Sequence, residues 1–208
     1  VYFFSVVNHY TFSEISMKKF LALTLATLVS STCWAADYQI DPMHSSVGFK
    51  VKHLAISSVP GRFGEVSGAF SFDPANIEAS KAQASITVSS INTMDAKRDD
   101  HLKSPDFLDA SKYPSITFTA KTVEKVSDTA FKAHGDLTIH GVTKPVTLDV
   151  TFGGSAKDPW GKERAAFEAK TVINRKDFGL TWNKTIETGG LVVGDEVQIS
   201  LEIEGIKS

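Results

Sequence analysis

Cysteine is almost absent: Cys33 is the single one among 208 residues, so neither a disulfide within the chain nor a thiolate-ligated metal centre can be built from it. Net charge is nearly absent too. The 22 Lys and Arg against 24 Asp and Glu leave a formal −2, a field too weak to select nucleic acid or an anionic membrane surface as the main partner. Partner choice must therefore come from shape and local chemistry. No apolar run reaches the ~20 residues a membrane-spanning helix needs, so no integral membrane segment is expected. Catalytic signatures are missing as well: there is no Gly-x-Ser-x-Gly, His-Glu-x-x-His or Gly-x-Gly-x-x-Gly, and no phosphate-binding glycine loop ending in Lys-Ser or Lys-Thr.

The first 35 residues read differently from the rest. Met17-Lys18-Lys19 is followed by the apolar run Phe20 to Val29, then by Ser30-Ser31-Thr32-Cys33-Trp34-Ala35. A basic head, a short apolar stretch and small residues before an Ala describe a secretory signal peptide over 17–35, with cleavage expected after Ala35. Residues 1–16 lie upstream of it and are expected to stand outside the mature protein. Export would remove the only cysteine and leave one domain, 36–208, of a size that buries a sizeable core.

Within 36–208 the dominant signal is alternation of apolar and polar residues with period two. Val47, Phe49, Val51 and His53 share one strand face, with Ser46, Lys50 and Lys52 on the other. The pattern returns at Val66/Phe70/Phe72, Ala82/Ala84/Ile86/Val88, Ile116/Phe118/Ala120 and Phe131/Ala133/Leu137/Ile139. It recurs at Val146/Leu148/Val150/Phe152, Ala165/Phe167/Ala169/Ile173 and Val197/Ile199/Leu201/Ile203. Eight strands with one polar face each favour an antiparallel sheet, since parallel sheets usually have both faces covered. Turn signals fall at Pro60-Gly61, Asp73-Pro74-Ala75-Asn76, Gly153-Gly154, Asp158-Pro159 and Gly189-Gly190.

The alternation breaks between Asn92 and Tyr113, where one or two short helices are expected; Ser104 would cap a second one with Pro105 at its first position. No repeat, low-complexity run or linker interrupts the chain. Such an all-β domain closes as a barrel or stacks as a sandwich. Its inward rows mix Phe with Ala, which fits either a full core or one with space left in it.

Histidine is the remaining candidate for reactive chemistry. His134 and His140 share a strand face but stand roughly 20 Å apart at ~3.4 Å per residue, too far to share a metal. His44 and His53 have opposite parity on one strand. A metal site assembled from different strands stays open on spacing alone, and none is expected. His53 points to the inner face, where a core or barrel-end histidine is the plainer account. His101 lies among charged residues with Arg98, and Arg62 sits between Gly61 and Phe63; each is either a solvated surface residue or a cation at a pocket rim.

Several motifs occur in a fixed order: Asp41-Pro42-x-His44-Ser45-x-Val47-x-Phe49-x-Val51-x-His53, Gly61-Arg62-Phe63, Arg98-Asp99-x-His101-Leu102, Phe107-x-Asp109 and Tyr113-Pro114-x-Ile116-x-Phe118. Gly135-x-Leu137-x-Ile139-His140-Gly141-Val142-Thr143-x-Pro145-Val146 and Asn174-Arg175-x-Asp177-Phe178-Gly179-Leu180 follow. Over residues 37–205 this order resembles the YceI-like family of exported bacterial polyisoprenoid-binding proteins. The resemblance implies an all-β, eight-stranded antiparallel lipocalin-like β-barrel that holds a polyisoprenoid or similar long-chain amphiphile. It also implies a periplasmic location, often as a homodimer, and links to isoprenoid-quinone metabolism, transport and stress responses.

On that basis the apolar wall is expected from Phe49, Val51, Phe70, Phe72, Ile86, Val88, Phe118, Leu137, Ile139 and Phe167, with Leu102, Phe107 and Trp182 as gate residues. His53, Arg62, Arg98, His101 and Arg175 are the expected contacts to a polar head. No cofactor and no catalytic residue are expected. The rival reading is an enzyme on the same barrel using His53 or His101, and a third is a binding module for a protein partner, with a filled interior.

Overall fold

The structure, a computed structural model, describes residues 36–185 and 190–208. The expected signal peptide, with its cleavage point, and the upstream extension lie outside the described residues.

Eleven strands form one antiparallel sheet that closes on itself through the pairing of its first and last-formed strands. They are β1 (Ala36–Ile40), β2 (Ser46–His53), β3 (Ser57–Phe63), β4 (Val66–Phe72), β5 (Lys81–Thr87), β6 (Ile91–Asn92), β7 (Ser115–Lys125), β8 (Ala130–Ile139), β9 (Val142–Lys157), β10 (Glu163–Asn174) and β11 (Val193–Lys207). Three pairs are bent lengths of single staves. β1 and β2 both pair with β11, while β1 pairs with β4 and β2 with β3. β5 continues the same way past a 3-10 turn into β6, which pairs with β3. The eleven strands thus make a closed eight-stave barrel. It is long: at ~3.4 Å per residue the 15-residue β11 runs about 50 Å.

Two of the expected turns lie inside strands. Pro60-Gly61 belongs to β3, where Pro60 is tolerated because only Arg62 and Phe63 of that strand have a second neighbour; the missing N–H falls on an edge. Gly153-Gly154 belongs to β9 and sits opposite the bulge at Ala166/Phe167, so these glycines bend a strand rather than end it. Asp73–Asn76 and Asp158–Gly161 do form turns. β1 went unrecognised because five residues carry too short an alternation.

The 92–113 connection holds one helix, α1 (Ala96–Lys103), among the described residues. Its N-cap is Asp95, whose side chain accepts from the Arg98 N–H. Ser104 ends this helix instead of starting another: its hydroxyl donates to the His101 carbonyl, and turns follow.

The interior divides along the barrel axis. At one end Tyr38, Phe70, Phe72, Phe131, Phe152 and Phe167 pack as an aromatic plug, with successive ring centroids 4.8–6.2 Å apart. The longer second cluster, from Val47 and Phe63 to Ile173 and Leu180, surrounds the middle and the opposite end.

Candidate functional site

Where side chains of small volume face large ones, the barrel is not filled. A cavity of about 500 Å³ runs inside it, within the range of ~300–1,000 Å³ typical of small-molecule sites. Ala82, Ala84, Ala133 and Ala169 stand on its wall beside Phe49, Phe118 and Phe167, which is how inward alanines on several staves leave space. The Phe rings on the wall have room against the sheet because glycine faces them. Phe49 lies opposite Gly61 on β3, and the Phe118 ring covers Gly135 on β8, where a Cβ would come within 2.7 Å of it.

Of the expected apolar residues, Phe49, Val51, Phe70, Phe72, Ile86, Leu102, Phe107, Phe118, Leu137, Ile139, Phe167 and Trp182 border the cavity. Val88 does not. β5 ends at Thr87, so strand parity stops there; Val88 opens a 3-10 turn, 1% exposed in the core, with its N–H donated to the Pro114 carbonyl.

The mouth lies at the end where β2 turns into β3, where β10 leads into a 3-10 turn (Arg175–Phe178), and where residues 180–185 and 190–193, together called the arm, precede β11. His53, Arg98, His101, Val59, Val192 and Val193 border the cavity there. Trp182, Phe107 and His101 form a three-ring cluster, with His101 edge-on to both at 5.0 and 4.8 Å and the other two 5.0 Å apart. The His101 Nε2 lies 2.9 Å from Asp106 Oδ2. The valines at 192 and 193 escaped the sequence pattern because a register shift between Val193 and Val197 breaks the β11 alternation.

The arginines behave differently from expectation. Arg62 points outward: β3 turns Val59 and Phe63 in, and Arg62 is exposed. Arg98 borders the cavity, but its Nε donates to the Thr93 hydroxyl and its Nη2 to the Thr93 carbonyl, both at 2.7 Å. Arg175 is 3% exposed and its donors are committed to the backbone carbonyls of Leu180, Trp182, Val193 and Gly194, with Asp195 at 3.5 Å. Burial pulls its pKa below the ordinary guanidinium value and Asp195 opposes that; an arginine remains charged at neutral pH regardless. Arg175 borders the cavity, and its donors are turned mainly to the backbone carbonyls of the arm, which it clamps.

Asp41, His44 and Glu204 bring ligand atoms within 4.8 Å of one another, the kind of grouping that spacing along one strand could not reveal. Its cation position is already filled. Arg164 Nη1 donates to Asp41 Oδ2 at 2.7 Å and to Glu204 Oε1 at 2.6 Å, and His44 Nδ1 lies 2.8 Å from the same Asp41 oxygen. Arg164 and His44 hold the Asp41 carboxyl down to about 2. This network locks the corner where β1 becomes β2, and it accounts for the Asp41-Pro42-x-His44 motif without a metal.

A closed barrel, an apolar interior and motifs that serve its corners and its arm are the features by which relatives can be judged. The YceI-like domain model matches residues 38–205. The chain belongs to the YceI-like family. It is 42% identical over 194 residues to protein YceI of Escherichia coli O157:H7, covering 91% of this chain and 98% of that one. A Pseudomonas putida relative is 41% identical over 194 residues, covering 91% and 97%. Among solved structures, the Campylobacter jejuni YceI protein is 40% identical with a TM-score of 0.65 over 76% of this chain and 91% of that one. Burkholderia cenocepacia BcnA is 27% identical with a TM-score of 0.70, over 79% and 98%. A polyisoprenoid binding domain from Saccharophagus degradans shares the fold at 17% identity and a TM-score of 0.63.

Proposed function

We propose that this YceI-like protein is a periplasmic carrier that encloses the tail of a polyisoprenoid or similar long-chain amphiphile. The observation that carries the reading is the cavity inside the barrel, lined predominantly by apolar side chains from the Phe70 and Phe72 end to the His53 and His101 end. The description of the Saccharophagus degradans domain as polyisoprenoid-binding supports the same ligand class. Each CH₂-sized group buried contributes ~0.8 kcal/mol, so a few isoprene units supply the roughly −8 kcal/mol of a micromolar complex. No catalytic group is needed for that affinity. An isoprenoid quinone, with a long tail and a compact polar ring, suits this division of the site, with His53 and the His101–Asp106 pair at the head end.

Export rests on residues 17–35 and their expected cleavage after Ala35. N-terminal sequencing of protein from the periplasmic fraction should begin at Ala36, and protein retained with residues 17–35 in the cytoplasm would remove the export reading.

Native mass spectrometry and organic extraction of protein purified from lipid-rich cells test the carrier. A long apolar molecule should be recovered at about one per barrel; repeated recovery of empty protein would end the proposal. The rival, an enzyme, draws on the His101–Asp106 pair. His53→Ala and His101→Ala separate the two, since a carrier loses no chemical turnover of the extracted molecule and keeps its tail.

A further inference from the structure

The cavity stops at a definite level, and strand order shows where. On β9 Val150 borders it and Phe152, two residues further on, does not; on β10 Phe167 does and Ala165 does not; on β11 Ile203 does and Gly205 does not. Phe72 and Phe131 complete the end wall from β4 and β8. Side chains of the same cluster that do not border the cavity are closed to solvent, with Tyr38 3% and Ala165 1% exposed. The aromatic plug is therefore the floor of the cavity.

Neighbouring groups hold that floor in place. The Phe72 ring meets Phe167 edge-on at 5.0 Å and Phe152 at 4.8 Å. Phe70 stacks on Tyr38 at 5.0 Å and lies over Gly205, where a Cβ would come within 2.5 Å of its ring. The Tyr38 hydroxyl donates to Glu163 Oε1 at 3.1 Å, and Lys207 Nζ donates to Oε2 of the same carboxylate at 3.0 Å. Rings pinned in this way have less freedom to step aside than a layer of unbranched, flexible side chains. The space above them is finite. At the ~30 Å³ per heavy atom of a molecular liquid, about 500 Å³ takes on the order of 17 carbon atoms.

We infer that the aromatic floor is a length gauge for the tail: Phe72 and Phe167 make the barrel selective for about three to four enclosed isoprene units, and a longer chain leaves its surplus outside the mouth. The inference rests on the carrier reading. Its physical basis is that only groups taken out of water add to affinity, so each unit strengthens binding until the tail reaches the rings and none does afterwards.

The test is a dansyl-labelled prenyl series of two to eight isoprene units, each titrated into the full chain below its own aggregation concentration. Affinity should rise by roughly a hundredfold per unit up to three or four units and then level off. Phe72→Leu with Phe167→Leu removes ring volume from the floor and should move the plateau to a longer chain; Val150→Phe raises the floor and should move it to a shorter one. Phe152→Leu is the control. It lies in the same plug without bordering the cavity, so it should lower the melting temperature and leave the plateau in place. Where melting shows the double variant unfolded, Phe167→Leu alone and Val150→Phe carry the test. Affinity that climbs through to eight units overturns the gauge and leaves the carrier reading intact. So does a plateau that stays put in folded floor variants, or one that shifts as far with Phe152→Leu. No binding at any length removes the carrier reading and the gauge with it.

Discussion

The guanidinium of Arg175 donates to the backbone carbonyl of Trp182 at 2.9 Å, so a cation buried in the wall fixes the height of an aromatic ring at the mouth. The same guanidinium reaches Leu180 before Trp182 and Val193 and Gly194 after it, gripping both sides of the arm. Replacing it with Met leaves these carbonyls without their donor at a position that is 3% exposed. Arg175→Met should cost about 3 kcal/mol or more of stability, read by urea denaturation, and should speed tail release in stopped-flow fluorescence. Unchanged stability would remove Arg175 from the clamp.

Filling the cavity should separate binding from folding. Ala133 and Ala169 stand on the cavity wall and are buried. Ala133→Leu and Ala84→Leu put methyl groups into existing space, so stability should change by less than about 1.5 kcal/mol while capacity for a long tail falls. Titration with farnesyl and longer probes checks it, with the longer chain losing more. Equal binding of all lengths in these variants would place the tail elsewhere.

Gly135 faces a crowded side of the sheet. A Cβ there meets the Thr119 carbonyl oxygen and the Phe118 ring, so Gly135→Ala should cost about 1–3 kcal/mol through displaced backbone and ring. Thermal unfolding reads it directly. A neutral outcome would mean that β7 yields at Thr119.

The corner network predicts a pH dependence. The Asp41 carboxyl is held near 2 against an ordinary 3.8 by Arg164 and His44. A depressed folded value means stability that is fully present above about pH 4 and is withdrawn as the pH falls towards 2. Asp41→Asn should flatten that acid limb in denaturation curves taken across this window; its Oδ1 can still accept from the Met43 N–H, while its Nδ2 replaces the oxygen that accepts from Arg164.

How legible the fold is depends on how regular each stave is. β8 is bonded on both sides, by β7 and β9, and its burial alternates residue by residue from Phe131 to Ile139, so its inner face is plain in the sequence. β3 is not plain, because Pro60-Gly61 imitates a turn in a strand with a free edge. Parity also fails wherever a strand stops or bulges, which is why Val88 was assigned to the wall and Val192 and Val193 were not. The arginines are legible only by type: residue type predicts that a cation suits a polar head, but not that Arg62 faces outward or that Arg98 and Arg175 spend donors on the chain's own Thr93 and arm carbonyls.

What the sequence alone determined is the period: alternation assigns a face to each side chain, and enough half-apolar strands in succession must cover one another, so an all-β antiparallel fold with Phe and Ala inside, barrel or sandwich, was implied before any coordinates. The tertiary structure decided what alternation does not encode. Register and bulges set which alanine meets which phenylalanine, and so whether space remains; contacts between segments far apart in the chain set whether Arg175 and Arg98 are free or bound. The faces are a local property of the chain, whereas vacancy and donor occupancy are properties of neighbours that only the closed barrel brings together.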